Sequence, residues 1–285
     1  MMRVCVVGSV NMDTGFDVAN LPRPGETALA VSVRSAPGGK GANQAVAAAR
    51  AGADVQFVGA VGDDEAAAQL RAHLDGNGVG TDGLITVPGR SGSAAVIVDA
   101  AGENIIVVAP EANRRLTLDS ATTRRMVADS DVLLLQLEIP LTTAIAAARE
   151  AHAAGVTVIL NASPTGGDAD ELARLAEVTD VLVVNETEAA QWVWPVPHKV
   201  TTLGARGAGY AGEGSDFTVA APEVAALDTS GAGDVFAGVL AANWGDGRDR
   251  AIQRACAAGA LATLVPGAGD CAPSAAAIDK ATRPG

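Results

Sequence analysis

Asp228-Thr229-Ser230-Gly231-Ala232-Gly233-Asp234 runs directly into an apolar stretch, Val235-Phe236-Ala237-Gly238-Val239-Leu240. Small residues at a predicted helix start strip side chains from the loop. The backbone N–H groups of Gly231, Ala232 and Gly233 can then face an anion, assisted by the helix dipole. A carboxylate placed there suits a general base, Asp234, beside a phosphoryl group whose developing charge those N–H groups hold. The structural alternative is a tight turn in which Asp234 caps the helix.

A second glycine cluster, Pro37-Gly38-Gly39-Lys40-Gly41-Ala42-Asn43-Gln44, precedes an alanine-rich segment. Glycines let backbone approach a ligand, and Lys40 and Asn43 add polar reach; the alternative is a flexible loop before a surface helix. Asn11 and Asp13 follow an apolar run, where they suit hydrogen bonding to ligand hydroxyls or an Asx turn. Glu138, Asn185, Glu188, Thr202 and Gly204 also follow apolar runs. Asp13 and Glu138 have the alternative of loop carboxylates, Lys40 of a solvent-facing cation, and Glu188 of a first-turn helix acid. Arg206 reads as a solvated loop residue, and Trp192 and Trp194 as packing rather than base stacking.

These residues need elements to position them. Val-, Ile- and Leu-rich runs at 4–7, 55–58, 132–135, 156–160 and 181–184 predict strands, and 43–51, 65–74, 141–154 and 170–176 predict helices between them. The alternation predicts an α/β fold with a central, mostly parallel sheet flanked by helices on both faces. The polar motifs fall at the C-terminal ends of predicted strands, the edge where open α/β sheets bind ligands, so they are expected to converge. Residues 16–33 and 93–108 break the alternation and read as β-rich segments punctuated by proline and glycine.

A length of 285 residues allows one large α/β domain or two smaller ones. The net charge of −13 gives general nucleic-acid binding little electrostatic support. Cys5, Cys256 and Cys271 form neither a metal-ligand pattern nor a disulfide framework. No apolar run approaches a membrane span, no signal-peptide pattern stands before the first strand, and a cytoplasmic location is expected. His73, His152 and His198 fall in no motif and read as ordinary surface or helix residues.

Taken in order, these segments resemble the ribokinase family of carbohydrate kinases over nearly the whole chain. Val7-Gly8-Ser9-Val10-Asn11-Met12-Asp13 is similar to its sugar-binding strand end. Gly38 to Ala45 is similar to its first signature, and Asp228 to Asp234 to its second. Gln136-Leu137-Glu138, Asn185-Glu186-Thr187-Glu188 and Thr202-Leu203-Gly204-Ala205-Arg206-Gly207 resemble its mid-chain elements. The resemblance implies a single domain over 1–285, with a small β-sheet lid from about 14–36 and 93–108. It implies ATP-dependent phosphorylation of D-ribose at the 5-hydroxyl, with Asp234 as catalytic base and Gly231, Ala232 and Gly233 as the anion hole. Asn11, Asp13, Gly39, Lys40, Asn43 and Glu138 would contact sugar, and Asn185, Thr202 and Gly204 nucleotide. Mg²⁺ would be held through water by Asn185 and Glu188, and K⁺ by Asp228, Ser230, Val265, Gly267 and Ser274. A homodimer through the lid is also implied.

Two departures from the family pattern stand out. Residues 265–274 form a longer loop containing Asp270, and 189–200 form a short connection expected at the sheet edge. Other readings are a kinase for another sugar or a nucleoside, and a catalytically silent sugar-binding homologue. The segment after the first strand lacks the Gly-x-Gly-x-x-Gly of a dinucleotide-dependent oxidoreductase, and no Walker lysine loop is present.

Overall fold

Apolar runs too continuous for a half-solvated sheet become strands buried on both faces. The computed structural model describes residues 1–283; the last two residues of the expected 1–285 domain lie outside the described residues. In chain order the strands are β1 (Arg3–Val7), β2 (Asn11–Asp17), β3 (Ser32–Gly38), β4 (Asp54–Val61), β5 (Val79–Thr86), β6 (Gly92–Val98), β7 (Asn104–Ala109), β8 (Val132–Leu135), β9 (Thr157–Asn161), β10 (Val181–Asn185), β11 (His198–Thr202), β12 (Ala208–Gly212) and β13 (Ser215–Val219). The helices are α1 (Lys40–Arg50), α2 (Glu65–Gly76), α3 (Ala121–Ala128), α4 (Leu141–Ala153), α5 (Ala169–Ala176), α6 (Glu186–Gln191), α7 (Ala232–Asn243), α8 (Arg248–Ala262) and α9 (Ala275–Ala281).

The main sheet has nine strands in the order β13-β12-β11-β10-β9-β8-β1-β4-β5. Pairing is parallel from β5 to β11, and β12 and β13 add antiparallel. One core lies where α1, α7 and α8 cover a face, with Val4, Val6, Val46, Phe57, Val239 and Leu240 buried together. The opposite core joins Cys5, Val7, Leu133 and Leu135 to Ile145 of α4 and Leu175 of α5. Side chains of β1 alternate between these two cores, as the two-residue period of a strand requires. The chain extends from β1 to β4 and β5 on one side and returns to β8 on the other. This reversal opens a crevice between the ends of β1 and β8, the place where such sheets bind ligands.

A second small sheet is present where the β-rich segments were expected, with shifted boundaries. A four-stranded sheet, β3-β2-β6-β7, is built from the two segments that broke the alternation. Its strands begin earlier than 16, because Asn11 and Asp13 already pair with Gly38 and Ala36 of β3. Most of 18–31 is connecting loop, since Pro22, Pro24 and Gly25 interrupt pairing there.

Two further expectations are corrected. The short connection after Glu188 lies inside the sheet, between β10 and β11, rather than at its edge, because β12 and β13 continue beyond it. His198 is a buried strand residue whose Nδ1 meets the Tyr210 hydroxyl at 2.8 Å. His73 and His152 do lie on helices, α2 and α4. Trp192 and Trp194 pack edge to face with ring centroids 5.0 Å apart, and Trp192 covers the second core. All three cysteines are free and buried. Among the described residues no helix is long and apolar enough to cross a membrane.

Candidate active site

Asp234 sits in the first turn of α7 and is 8% exposed. The helix cap is Gly231 instead, with φ of 74°, a left-handed conformation that glycine adopts without strain. The capping alternative for Asp234 is therefore overturned, and its carboxylate is turned to other partners. Asn43 Nδ2 donates to Oδ2 and Gln44 Nε2 to Oδ1, each at 3.0 Å. Both donors lie on α1, which packs tightly on α7: a Cβ on Gly238 would stand 2.3 Å from the Gln44 carbonyl oxygen.

The Gln44 amide is oriented in turn. Its Nε2 also donates to Asn161 Oδ1 at 3.0 Å, and its Oε1 accepts from Gln136 Nε2 at 2.7 Å. Gln136, Asn161 and Asp234 come from the ends of β8 and β9 and the start of α7. A buried polar network of this kind holds its members in one arrangement, since an unpaired member is costly.

The β1/β8 crevice holds a second carboxylate, Glu138. Its Oε2 accepts from Ser9 Oγ at 2.6 Å and from the Lys40 backbone N–H at 3.2 Å. The Lys40 ammonium is held above its ordinary pKa by Asp234 first, against the opposing effect of burial, with Glu138 and Glu188 adding to it. Lys40 is half-buried, within electrostatic reach of both carboxylates.

Asp13, on β2, supplies the third carboxylate. Gly38 leaves it room: a Cβ there would stand 2.1 Å from Asp13 Oδ2. Burial, then the nearby charge of Glu138, pushes the Asp13 carboxyl up to about 7; the Ala94 backbone opposes this and Asp234 adds to it. Its Oδ1 is enclosed with no hydrogen-bond partner among the described residues. An enclosed, unpartnered carboxylate oxygen is costly unless a ligand hydroxyl satisfies it.

Asn11 is 2% exposed and accepts at Oδ1 from Asn113 Nδ2 at 2.8 Å. Asn113 also closes on the backbone of Val10, accepting from its N–H at 3.1 Å and donating to its carbonyl at 3.2 Å. Asn113 lies in the short 3-10 turn Glu111–Arg115, just after β7. Sequence reading missed it, because a single Asn outside any glycine motif carries no local signal. Gln44 and Gln136 were visible within motifs, but not their role in orienting Asp234. Gly39, with φ of 90°, leaves no room for a side chain: a Cβ there would stand 2.9 Å from the Val10 Cα and the Asn11 N.

The expected anion hole falls at the start of α7. No side chain caps α7 among the described residues, so its first-turn N–H groups face outward. One expectation changes: the Ala232 N–H bends back to the Thr229 carbonyl at 3.3 Å, because the turn tightens before the helix begins. Asp228 shapes this turn, accepting from Ser230 N–H and Gly267 N–H, each at 2.8 Å. Burial pushes the Asp228 carboxyl up, but the Gly267 and Ser230 N–H groups outweigh it and hold it below the usual carboxylate range. Val265 and Gly267 lie on the loop beside it, whereas the Ser274 hydroxyl caps α9 by accepting from Ala277 N–H at 3.3 Å.

Asn185 and Glu188 form a reciprocal capping box on α6, with both hydrogen bonds 2.8 Å. This structural use of Glu188 coexists with its electrostatic reach to Lys40. Thr202 ends β11, and Gly204 follows it on a 3-10 turn with Arg206, whose exposed guanidinium pairs with Glu186 at 2.7 Å. No group of three or more His, Cys, Asp or Glu side chains arranged to hold a metal occurs among the described residues. Glu188 and the Asn185 amide still offer oxygen donors of the type that bind Mg²⁺ through its waters.

A carboxylate beside a helix N-terminus, in a crevice lined by further carboxylates and amides, is an arrangement suited to phosphoryl transfer to a polyhydroxylated acceptor. Comparison with known proteins agrees. Residues 1–275 match the pfkB family carbohydrate kinase model, and the chain belongs to this family. The chain is 36% identical over 286 residues to a ribokinase from Haemophilus influenzae, covering 92% of each. It is 35% identical over 261 residues to a ribokinase from Bacillus subtilis, covering 87% of this chain and 88% of that one. The solved structure of Arabidopsis thaliana ribokinase complexed with ribose and ATP superposes with a TM-score of 0.89 at 29% identity, covering 100% of this chain and 99% of that one.

Proposed function

We propose that the protein transfers the γ-phosphoryl group of ATP to the 5-hydroxyl of D-ribose. The observation that carries this reading is the buried Asp234 carboxylate, clamped by Asn43 and Gln44 at the uncapped start of α7. Asp234 accepts the proton of the sugar hydroxyl as its oxygen attacks phosphorus. The N–H groups of Gly231 and Gly233 stabilise the transferring oxygens, while that of Ala232 stays on the Thr229 carbonyl. Asp13, Asn11, Lys40, Asn43 and Glu138 bind the remaining hydroxyls, and the Asp13 Oδ1 without a partner is the natural acceptor for one of them. Asn185, Thr202 and Gly204 line the nucleotide side.

A kinase that uses ATP needs a divalent ion; Mg²⁺, held through water by Asn185 and Glu188, would neutralise phosphate charge. K⁺ would sit among the carbonyls of Ser230, Val265 and Gly267 beside Asp228, adding positive potential to the anion hole. We further propose a homodimer through the lid, supported by Val31, Val33, Ile106 and Val107, all well exposed on that element. Three reduced, buried thiols suit a cytoplasmic setting.

The test is ADP release over a panel of pentoses, hexoses and nucleosides with Mg²⁺, with and without K⁺. A strong preference for D-ribose with K⁺ stimulation is expected. Turnover confined to another substrate overturns the ribose assignment, and ATP binding without any turnover would mark a silent sugar-binding homologue.

A further inference from the structure

Arg50 closes α1, and its guanidinium is spent on a distant loop. Nη1 donates to the carbonyls of Asp270 at 2.9 Å and Ala272 at 2.8 Å, and Nη2 meets Asp270 Oδ1 at 3.3 Å. Nε donates to Asn77 Oδ1 at 2.9 Å, so the fork is itself held in orientation by the end of α2. The side chain is 27% exposed, and the planar fork matches two carbonyls in a way an ammonium does not.

The loop so held is the outer wall of the anion-hole turn. Gly267 N–H reaches Asp228 Oδ2 at 2.8 Å. The Cys271 thiol lies 3.3 Å from the Ala268 carbonyl and 3.8 Å from that of Ser230. Ala268 packs so closely on the turn that a Cβ on Gly231 would stand 2.8 Å from its Cα. The position of Asp270 and Ala272 therefore passes directly to residues 228–231. Helix α1 is an 11-residue rod with the Asp234 clamp, Asn43 and Gln44, at one end and Arg50 at the other.

We infer that Arg50 is a positioning residue for the phosphoryl donor, bracing residues 266–272 so that the turn at 228–231 keeps its phosphate-accepting shape. This rests on the kinase reading. The loop also packs on the Pro37 carbonyl at Gly269, but Arg50 makes no hydrogen bond to Asn11, Asp13, Lys40 or Glu138, so its loss weakens nucleotide binding far more than sugar binding.

The test uses the full chain with Arg50→Met, Arg50→Lys and Asp270→Ala. ADP affinity is measured by titration calorimetry without sugar, beside KM for ATP, KM for ribose and the melting temperature. In Arg50→Met, the ADP Kd and the KM for ATP are expected to rise about 10-fold or more, the scale of lost charge-assisted hydrogen bonds. KM for ribose should stay within about twofold. Arg50→Lys, which can reach one carbonyl, should recover part of the loss, and Asp270→Ala should show the smallest effect.

Unchanged ADP affinity in folded Arg50→Met overturns the inference, as does a parallel loss of ADP and ribose affinity with melting temperature. If Arg50→Met does not fold, an unchanged ADP affinity in both other variants overturns it equally. ADP binding is read without turnover, so an unaltered protein that binds ADP but ignores ribose counts against the substrate alone. Failure of the unaltered protein to bind ADP overturns both readings.

Discussion

The two halves of the site are built differently. On the proposed sugar side, polar side chains are buried or half-buried and held by other side chains: Asn113 on Asn11, Ser9 on Glu138, Asn43 and Gln44 on Asp234. On the proposed nucleotide side, the α6 box and the Arg206–Glu186 pair are exposed, and the turn at 228–231 is shaped largely by backbone groups. Recognition of hydroxyls needs fixed donors and acceptors, because a site built for a hydroxyl rejects what leaves its buried groups unpaired. Phosphate needs only oriented N–H groups and local positive potential, which backbone supplies in an acidic protein. Rigidity is thus concentrated where stereochemistry must be read.

The comparison can be broken most severely at Asp234. Asp234→Asn is expected to lower kcat about 10²–10⁴-fold while ribose still binds, measured by single-turnover rates and calorimetry. Near-normal turnover would remove Asp234 as the base. Next, Gly38→Ala places a Cβ 2.1 Å from the Asp13 carboxylate. KM for ribose should rise about 10-fold or more with KM for ATP little changed, because displacing Asp13 forfeits its ligand hydrogen bonds.

Asn113→Ala leaves the Val10 backbone and Asn11 amide without their buried partner and should cost about 1–3 kcal/mol in chemical denaturation. It should also raise KM for ribose selectively; equal effects on both substrates would show that the sugar half is not separately braced. The smallest effect is expected on the exposed side, where Arg206→Ala should shift the melting temperature by less than about 2 °C.

A pH experiment sharpens the same contrast. The folded Asp13 carboxyl titrates near 7 against an ordinary value of 3.8. A raised carboxyl binds its proton more tightly when folded, so its stabilising contribution is full below pH 3.8 and is lost as pH rises through about 7. Between pH 3.8 and about 7 the unaltered protein should lose stability relative to Asp13→Asn in paired thermal melts. Parallel melting curves across that range would show that Asp13 is not strained in the empty site.

Much of this was legible along the chain. The β1, β8 and β10 runs, the helices α1, α2, α4 and α5, and the glycine motifs are local features. Each declares itself by periodicity or by loss of side chains, over a few residues. Lid boundaries were blurred because Asn11 and Asp13 look like a loop after β1 but gain cross-strand partners on β3. The connection at 189–200 was misplaced because nothing local says that two more strands follow β11 on the outer side.

What the sequence by itself determined is the alternation of strand and helix, the placing of polar residues at strand ends, and the stripped loop before α7. These follow from residue type and short-range spacing, which set backbone preference and amphipathic period. Only the tertiary structure decided which amides clamp Asp234, that Asn113 orients Asn11, and that Arg50 reaches Asp270. Those contacts join residues more than 100 positions apart, and their geometry is set by how α1, α7 and the lid pack on the sheet. Side-chain hydrogen bonds depend on sub-ångström placement, and packing, not local propensity, supplies it.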